Sequence, residues 1–271
     1  MFMGLDFEVL TLPFMYRPLI VLAVLSIVGG LVGTIINLRR VEFNAEATVH
    51  SLFPGIVAGA VFGGTQWIVP AAALTAVCVV IALSLAGRRG HNEAGTAVIL
   101  TSFFALGVVL VLYKSDMSGQ LEAIMFGRLL EMTTAQLWQS GAVLAVAAVA
   151  ILSAWQWQVA VAFDRTTAAA MEIPVKTVDY VLNATIAAVV VAASTAVGVL
   201  LVIGFLVVPG AAGRLVARTV TTQTLVAVLT ALLGSALGVL VILTDAPVSP
   251  QASVALGVVV VFLLLWAVVR R

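Results

Sequence analysis

The chain has 271 residues, 63% of them hydrophobic and 9% charged, with a formal net charge of +1 and a mean hydropathy of +1.22. Soluble domains carry about 25% charged and about 45–50% apolar residues, so a water-soluble globule is excluded. Disorder is excluded too, because so much apolar surface demands burial. A near-neutral chain offers no basic field for nucleic acid, and the lone Cys78 excludes an intrachain disulfide or a thiolate-built zinc or iron–sulfur centre.

Long unbroken apolar stretches suit helices rather than the alternation of a barrel. The prediction is an all-α integral membrane protein, a single transmembrane domain over 1–271, with about nine spanning helices (eight to nine). A span needs about 20 apolar residues. Candidates lie at roughly 18–38, 43–63, 66–86, 94–113, 135–157, 178–197, 198–216, 223–243 and 250–269. The stretch after Asp179 carries no charge before Arg214 and is too long for one helix crossing. A break near Gly198 divides it.

Cationic residues orient the bundle. An N-terminus outside and a C-terminus in the cytoplasm put Arg39, Arg40, Arg88, Arg89, Arg165, Lys176, Arg214, Arg218, Arg270 and Arg271 inside. Only Arg17, Lys114 and Arg128 then fall outside. Trp67 and Trp138 mark outer edges, and Trp155, Trp157 and Trp266 inner edges, as an aromatic belt does. The first 17 residues have no basic n-region and are expected to form a short outer amphipathic segment rather than a cleaved signal.

In chain order, the first chemistry lies in span two. Glu46 and His50 are four residues apart and share one helix face, which places a carboxylate and an imidazole as half of a divalent-metal site. Pro54, followed by Gly55, withholds an N–H from the His50 carbonyl and predicts a helix break that could line a pathway. Glu46 could also simply snorkel toward the interface near Arg39 and Arg40. Glu93 opens span four and reads either as a helix-start charge or as a second carboxylate for the same site. His91 reads as a loop histidine and Asp179 as a helix-start charge. Asn183, Ser194 and Thr195 read as interhelical hydrogen-bonding groups.

The inner segment 163–174 combines helix formers with Asp164 at its start and Pro174 at its end, predicting a short surface helix. Such a helix is either a docking element or a plain connector. Pro209 and Gly210 predict a second broken helix, loosely parallel to Pro54 and Gly55. Gly29, Gly30 and Gly33, and Gly234 with Gly238, predict close helix packing.

No P-loop, no nucleophile elbow and no zincin motif is present, so neither ATP hydrolysis nor another enzymatic activity is expected of this chain. Voltage-sensor and filter patterns are absent as well. A transport path driven by another energy source remains.

The chain resembles the permease subunits of ATP-binding-cassette importers for manganese, zinc and iron. The resemblance rests on seven blocks in order: Phe14-Met15-Tyr16-Arg17, Leu38-Arg39-Arg40, Glu46-x-x-x-His50-x-x-x-Pro54-Gly55, Ser102 to Gly107, Phe126-Gly127, Phe163-Asp164 with Ala168, and Val208 to Ala212. Two departures stand out: Glu46 occupies a position where the family has Asp, and Gly210 interrupts the last block.

The resemblance implies a multi-pass protein of the bacterial plasma membrane that dimerises with a second copy around one path. A cytoplasmic ATP-binding-cassette ATPase would dock on the coupling segment, here Phe163, Asp164, Ala168 and Glu172. An extracytoplasmic metal-binding protein would deliver the cargo. The implied metal residues are Glu46, His50 and Glu93. No permanently bound cofactor is implied. Oxygen and imidazole donors without thiolate suit manganese, zinc and ferrous iron alike. Pro54-Gly55 after the histidine resembles the manganese and iron branch of the family, so manganese is the favoured cargo, then zinc or iron. Alternatives are a gradient-driven carrier or channel without an ATPase, and an ATP-driven permease for a metal chelate.

Overall fold

The computed structural model describes residues 12–86, 93–113, 127–194, 197–244 and 248–270. Arg88, Arg89, His91, Lys114, Phe126, Thr195, Arg271 and most of the predicted outer amphipathic segment lie outside the described residues. The described residues form helices throughout, in the order α1 (Pro13–Arg39), α2 (Glu42–Ser51), α3 (Phe53–Gly63), α4 (Ile68–Ala86), α5 (Glu93–Tyr113), α6 (Thr134–Ser153), α7 (Trp155–Phe163), α8 (Arg165–Ala170), α9 (Val175–Ser194), α10 (Val199–Val216), α11 (Val220–Ile242) and α12 (Pro250–Val269). Counting Glu42–Gly63 as one interrupted span, eight segments are long and apolar enough to cross a bilayer. The ninth predicted span is the shorter α10, apolar over Leu201–Val216.

Local chemistry sets the helix ends. Pro13 occupies the first turn of α1, where its missing N–H costs nothing. The helix stops at Arg40, whose φ of 54° is left-handed, and the Val41 N–H closes the turn on the Ile36 carbonyl at 3.1 Å. Thr133 and Gln136 form a reciprocal capping box on α6. The predicted break near Gly198 is present: Gly198, with φ of 84°, caps α10.

Two predicted spans are each divided in two. The span 43–63 bends at Leu52, between α2 and α3. The span 135–157 bends at Ala154, between α6 and α7, so Trp155 and Trp157 lie in α7.

One block of the core is built on glycine. Gly30 meets Val228 of α11, where an added Cβ would lie 2.7 Å from a valine methyl. Gly33 of α1 faces the Leu206 carbonyl of α10, and Gly234 and Gly238 of α11 face Val258 and Val254 of α12. The predicted small-residue faces therefore bring α1, α10, α11 and α12 together at backbone distance. A buried hydrogen bond between the Ser26 and Ser235 hydroxyls, 3.1 Å, adds a polar tie between α1 and α11. The main apolar core extends from this block through Leu22, Leu25, Ile35 and Phe205 to Leu52, Leu144 and Ile186. By contrast α5 is the barest span: 17% of its most apolar window is buried, against 67% for α1.

Candidate functional site

Glu46 and His50 lie one turn apart on α2, just before the bend. Glu46 is exposed and His50 half-buried, while Ala45, Ala47, Thr48 and Val49 around them are buried. Glu46 therefore points away from the helix core of its own chain, and His50 lies at the edge of that core. Pro54 falls in the first turn of α3, the position that tolerates proline. The turn is closed by the Gly55 and Ile56 N–H groups on the Leu52 carbonyl, at 3.1 and 3.2 Å.

Helix α5 packs over this bend. The Phe104 ring meets the His50 ring edge-on, with centroids 5.7 Å apart, and lies 5.3 Å from the Phe53 ring. Gly107 permits the approach, because a Cβ there would overlap Phe53 and lie 3.0 Å from the Pro54 nitrogen. One turn below Glu93, the Thr96 hydroxyl donates to the Asn44 carboxamide oxygen at 3.2 Å, tying α5 to α2. Asn44, Thr96 and Phe104 did not emerge as positioning groups from the sequence. The available signal was a carboxamide and a hydroxyl beside the two carboxylates.

Glu93 is exposed at the first residue of α5. Among the described residues, no three His, Cys, Asp or Glu side chains gather at metal-binding distance. Glu46, His50 and Glu93 therefore do not form a complete ligand set within one chain.

The helix-break residues behave differently from one another. Pro54 and Gly55 do sit at a bend, but both are buried, and Gly55 packs on Ala71 and Thr75 of α4. The expected break at Pro209 and Gly210 is not found: α10 runs through Pro209 without interruption. Proline removes the donor to the Phe205 carbonyl. Gly29 of α1 lies against that carbonyl, and the Asn37 Nδ2 donates to the neighbouring Val207 carbonyl at 3.2 Å. Neighbouring α1 thus packs closely along the proline-containing stretch, which stays continuous. Gly210 is buried against Gly33 and Asn37, as a packing residue.

The segment after α7 forms the short helix α8, capped at both ends. Asp164 accepts from the Thr166 N–H at 2.8 Å, the Thr166 hydroxyl at 2.6 Å and the Thr167 hydroxyl at 2.5 Å. These hydrogen bonds, the Thr166 hydroxyl first, hold its carboxyl well below the usual carboxylate range. At the other end the Ile173 N–H reaches the Ala168 carbonyl and the Glu172 N–H the Ala169 carbonyl, which is a Schellman closure. It places Glu172 at a φ of 61°, a left-handed conformation that costs an L-residue about 1–2 kcal/mol. Ala168 is buried in a small apolar cluster with Val161 and Val178, flanked by Ile173. Phe163 is 94% exposed and Met171 69% exposed, so two large apolar side chains flank a solvent-facing helix.

Asp179 proves to be more than a helix-start charge. It lies in α9 and binds two guanidinium groups, Arg39 from the last turn of α1 and Arg165 from the first residue of α8. Arg39 also donates to the Gln158 carboxamide oxygen at 2.8 Å. The Gln158 Nε2 in turn donates to the Val178 carbonyl at 2.9 Å.

The family model described as "ABC 3 transport family" matches residues 11–269. A relative named "Manganese transport system membrane protein MntC", from Halalkalibacterium halodurans, is 27% identical over 210 residues, covering 77% of this chain and 71% of its own length. "Manganese import system permease protein ScaB" of Streptococcus gordonii is 27% identical over 226 residues, covering 83% of this chain and 78% of its own. "Chelated iron transport system membrane protein YfeD" of Yersinia pestis is 27% identical over 242 residues, covering 89% and 81%. In fold, the chain is similar to the structure titled "PsaBC from Streptococcus pneumoniae in complex with Fab", with a TM-score of 0.83, 24% identity and coverage of 97% of this chain and 94% of that one. A transport-family model that spans nearly the whole helical bundle places this multi-pass membrane protein by descent as well as by shape: the chain belongs to the ABC 3 transport family.

Proposed function

We propose that this chain is the membrane permease of an ATP-driven importer for a divalent transition metal, with manganese as cargo ahead of zinc and ferrous iron. The observation that carries this reading is the exposed Glu46 and half-buried His50 on α2, one turn apart beside a bend. One oxygen and one nitrogen donor are half a coordination set. Two copies meeting at this face supply two carboxylates and two imidazoles, and Glu93 adds negative charge. That charge lowers the cost of moving a divalent ion through a medium of low dielectric constant. The relatives named for manganese transport support the cargo, and the relative named for chelated iron keeps iron among the candidates.

In this reading the ATPase is a separate cytoplasmic subunit. It docks on the exposed surface of α8, with Phe163, Asp164, Ala168 and Glu172 shaping the contact. Ala168 sets how closely α8 sits on α7 and α9. The N-terminus lies outside and the C-terminus in the cytoplasm, a placement supported by the distribution of Arg and Lys. An extracytoplasmic binding protein loads the outward-open cavity. ATP-driven closure of the ATPase pair moves α8 and switches access to the cytoplasm. The membrane is a bacterial plasma membrane.

The test is metal accumulation in cells expressing the permease with its ATPase and binding protein, read by elemental analysis for manganese, zinc and iron. ATP-dependent manganese uptake that is lost in Glu46→Ala and in His50→Ala supports the proposal. Undiminished uptake in both variants removes the metal site. Uptake without the ATPase subunit moves the protein to a gradient-driven carrier.

A further inference from the structure

The cluster around Asp179 is not used by the metal site, yet it joins four helices. Arg165 is the first residue of α8, and its two terminal nitrogens reach both Asp179 oxygens, at 3.1 and 2.5 Å. This is the bidentate fork that fixes orientation as well as distance. Asp179 belongs to α9. Its Oδ1 also receives Arg39, whose side chain is only 7% exposed. Arg39 continues to Gln158 of α7, which is fully buried and returns to the backbone of α9 at Val178. The last turn of α1, the start of α8 and the second turn of α9 are thus held at one carboxylate, and α7 joins them through Arg39 and the Val178 carbonyl.

The position of Arg39 gives this junction direction. Arg39 ends α1, Arg40 turns the chain in the left-handed region, and α2 begins at Glu42. The helix that carries Glu46 and His50 therefore starts three residues beyond a guanidinium bound to Asp179. A displacement of α8 reaches that corner through two ion pairs on one carboxylate. Covalent connection alone would have to pass from α8 back through α7, α6, α5, α4 and α3 before it met α2.

We propose that Asp179 is a positioning residue that transmits motion of the α8 docking segment to the α1–α2 corner, and so couples ATP hydrolysis to metal transfer. This rests on the importer reading above. Arg165 is the outer arm of the relay and Arg39 the inner arm. With Asp179 neutral, two guanidinium groups face each other, one of them buried, and α8 is released from α1 while its own caps stay intact. The ATPase subunits then close on a segment that no longer drives α2.

The test uses the complete importer in proteoliposomes, with manganese, zinc and ferrous ions offered together. Total metal taken up and ATP hydrolysed are measured in the same vesicles. Arg165→Gln and Asp179→Asn are expected to hydrolyse ATP at a rate within about twofold of wild type, while metal moved per ATP falls at least about fivefold. Asp179→Glu keeps the carboxylate and is expected to recover most of the ratio. Because Arg165 is partly exposed, its variant keeps the inner Arg39–Asp179 pair and guards against simple misfolding. An unchanged ratio in both variants overturns the relay. So does a proportional loss of uptake and hydrolysis that Asp179→Glu does not restore, which marks a purely structural ion pair. A wrong cargo appears as a different metal in wild type, with the ratio still readable. Wild-type uptake that needs no ATP overturns the importer reading before any variant is compared.

Discussion

Gly107 of α5 lies directly against Phe53 at the α2–α3 bend, with no room between them for a methyl group. The Phe53 ring could swing aside, but the Pro54 nitrogen, 3.0 Å from the position of an added Cβ, is backbone and cannot. Gly107→Ala should therefore destabilise the protein by about 1 kcal/mol and Gly107→Leu by about 3 kcal/mol, the range for overpacking a filled site. Unfolding of the purified protein in detergent checks the order. Equal stability of the leucine variant and wild type would show that α5 does not rest on the bend.

The α1–α10 contact predicts a sharper contrast. Gly33 faces the Leu206 carbonyl and Gly210 the Gly33 carbonyl, both without space for a side chain. Gly204, on the same helix as Gly210, has nothing within 4 Å of a built Cβ. Gly33→Ala and Gly210→Ala should each cost about 2–3 kcal/mol, lowering the melting temperature by roughly 4–12 °C. Gly204→Ala should be neutral, or stabilising by up to about 1 kcal/mol, since alanine is the better helix former. A fluorescence melting series on the three variants separates backbone contact from general glycine loss.

These contacts also show where sequence reasoning reaches and where it ends. The turn at Gly198 was legible because a chargeless run too long for one span must fold back, and glycine accepts the φ of 84° found there. The bend near Pro54 was legible from the missing N–H, although the turn centres on Leu52, two residues earlier, because proline belongs in the first turn of the next helix. The same rule failed at Pro209. Its helix stays continuous with Gly29 of α1 packed against the Phe205 carbonyl, a tertiary contact with no local signal. The Asp179 junction was hidden for the same reason: Arg39 lies 140 positions away in sequence, and a lone aspartate near a helix start has an adequate local explanation. The Glu46 and His50 spacing was legible as one face of a helix. No three-ligand cluster forms around them among the described residues, so their role as donors is not legible from one chain.

The donor chemistry at position 50 should set metal preference. An imidazole accepts manganese, zinc and ferrous iron, whereas a thiolate favours the softer ion. His50→Cys is expected to raise the zinc-to-manganese uptake ratio by about tenfold. Glu46→Asp keeps the carboxylate one methylene shorter and is expected to retain uptake with an altered ratio. Competitive uptake of equimolar manganese and zinc, read by elemental analysis, measures both. Identical ratios in wild type, His50→Cys and Glu46→Asp would mean that neither side chain touches the cargo.

Asp164 tests whether the docking segment needs a charge or a cap. Its carboxyl is held below the usual range by the Thr166 and Thr167 hydroxyls and the amides behind them. A depressed folded pKa adds stability that is fully present above the unfolded value, about 3.9 for Asp, and is lost only as pH falls through the lower folded value. The cap should therefore be intact from about pH 5 upward, and ATP-driven uptake should show no titration from this group between about pH 5 and 8. Asparagine caps as well as aspartate, whereas alanine does not. Asp164→Asn should consequently keep the assembled permease–ATPase complex, while Asp164→Ala should frays the start of α8 and weaken ATPase retention on affinity-purified permease several-fold, by about the factor a lost cap allows. Equal loss in both variants would instead assign the role to the negative charge, acting on the ATPase surface itself.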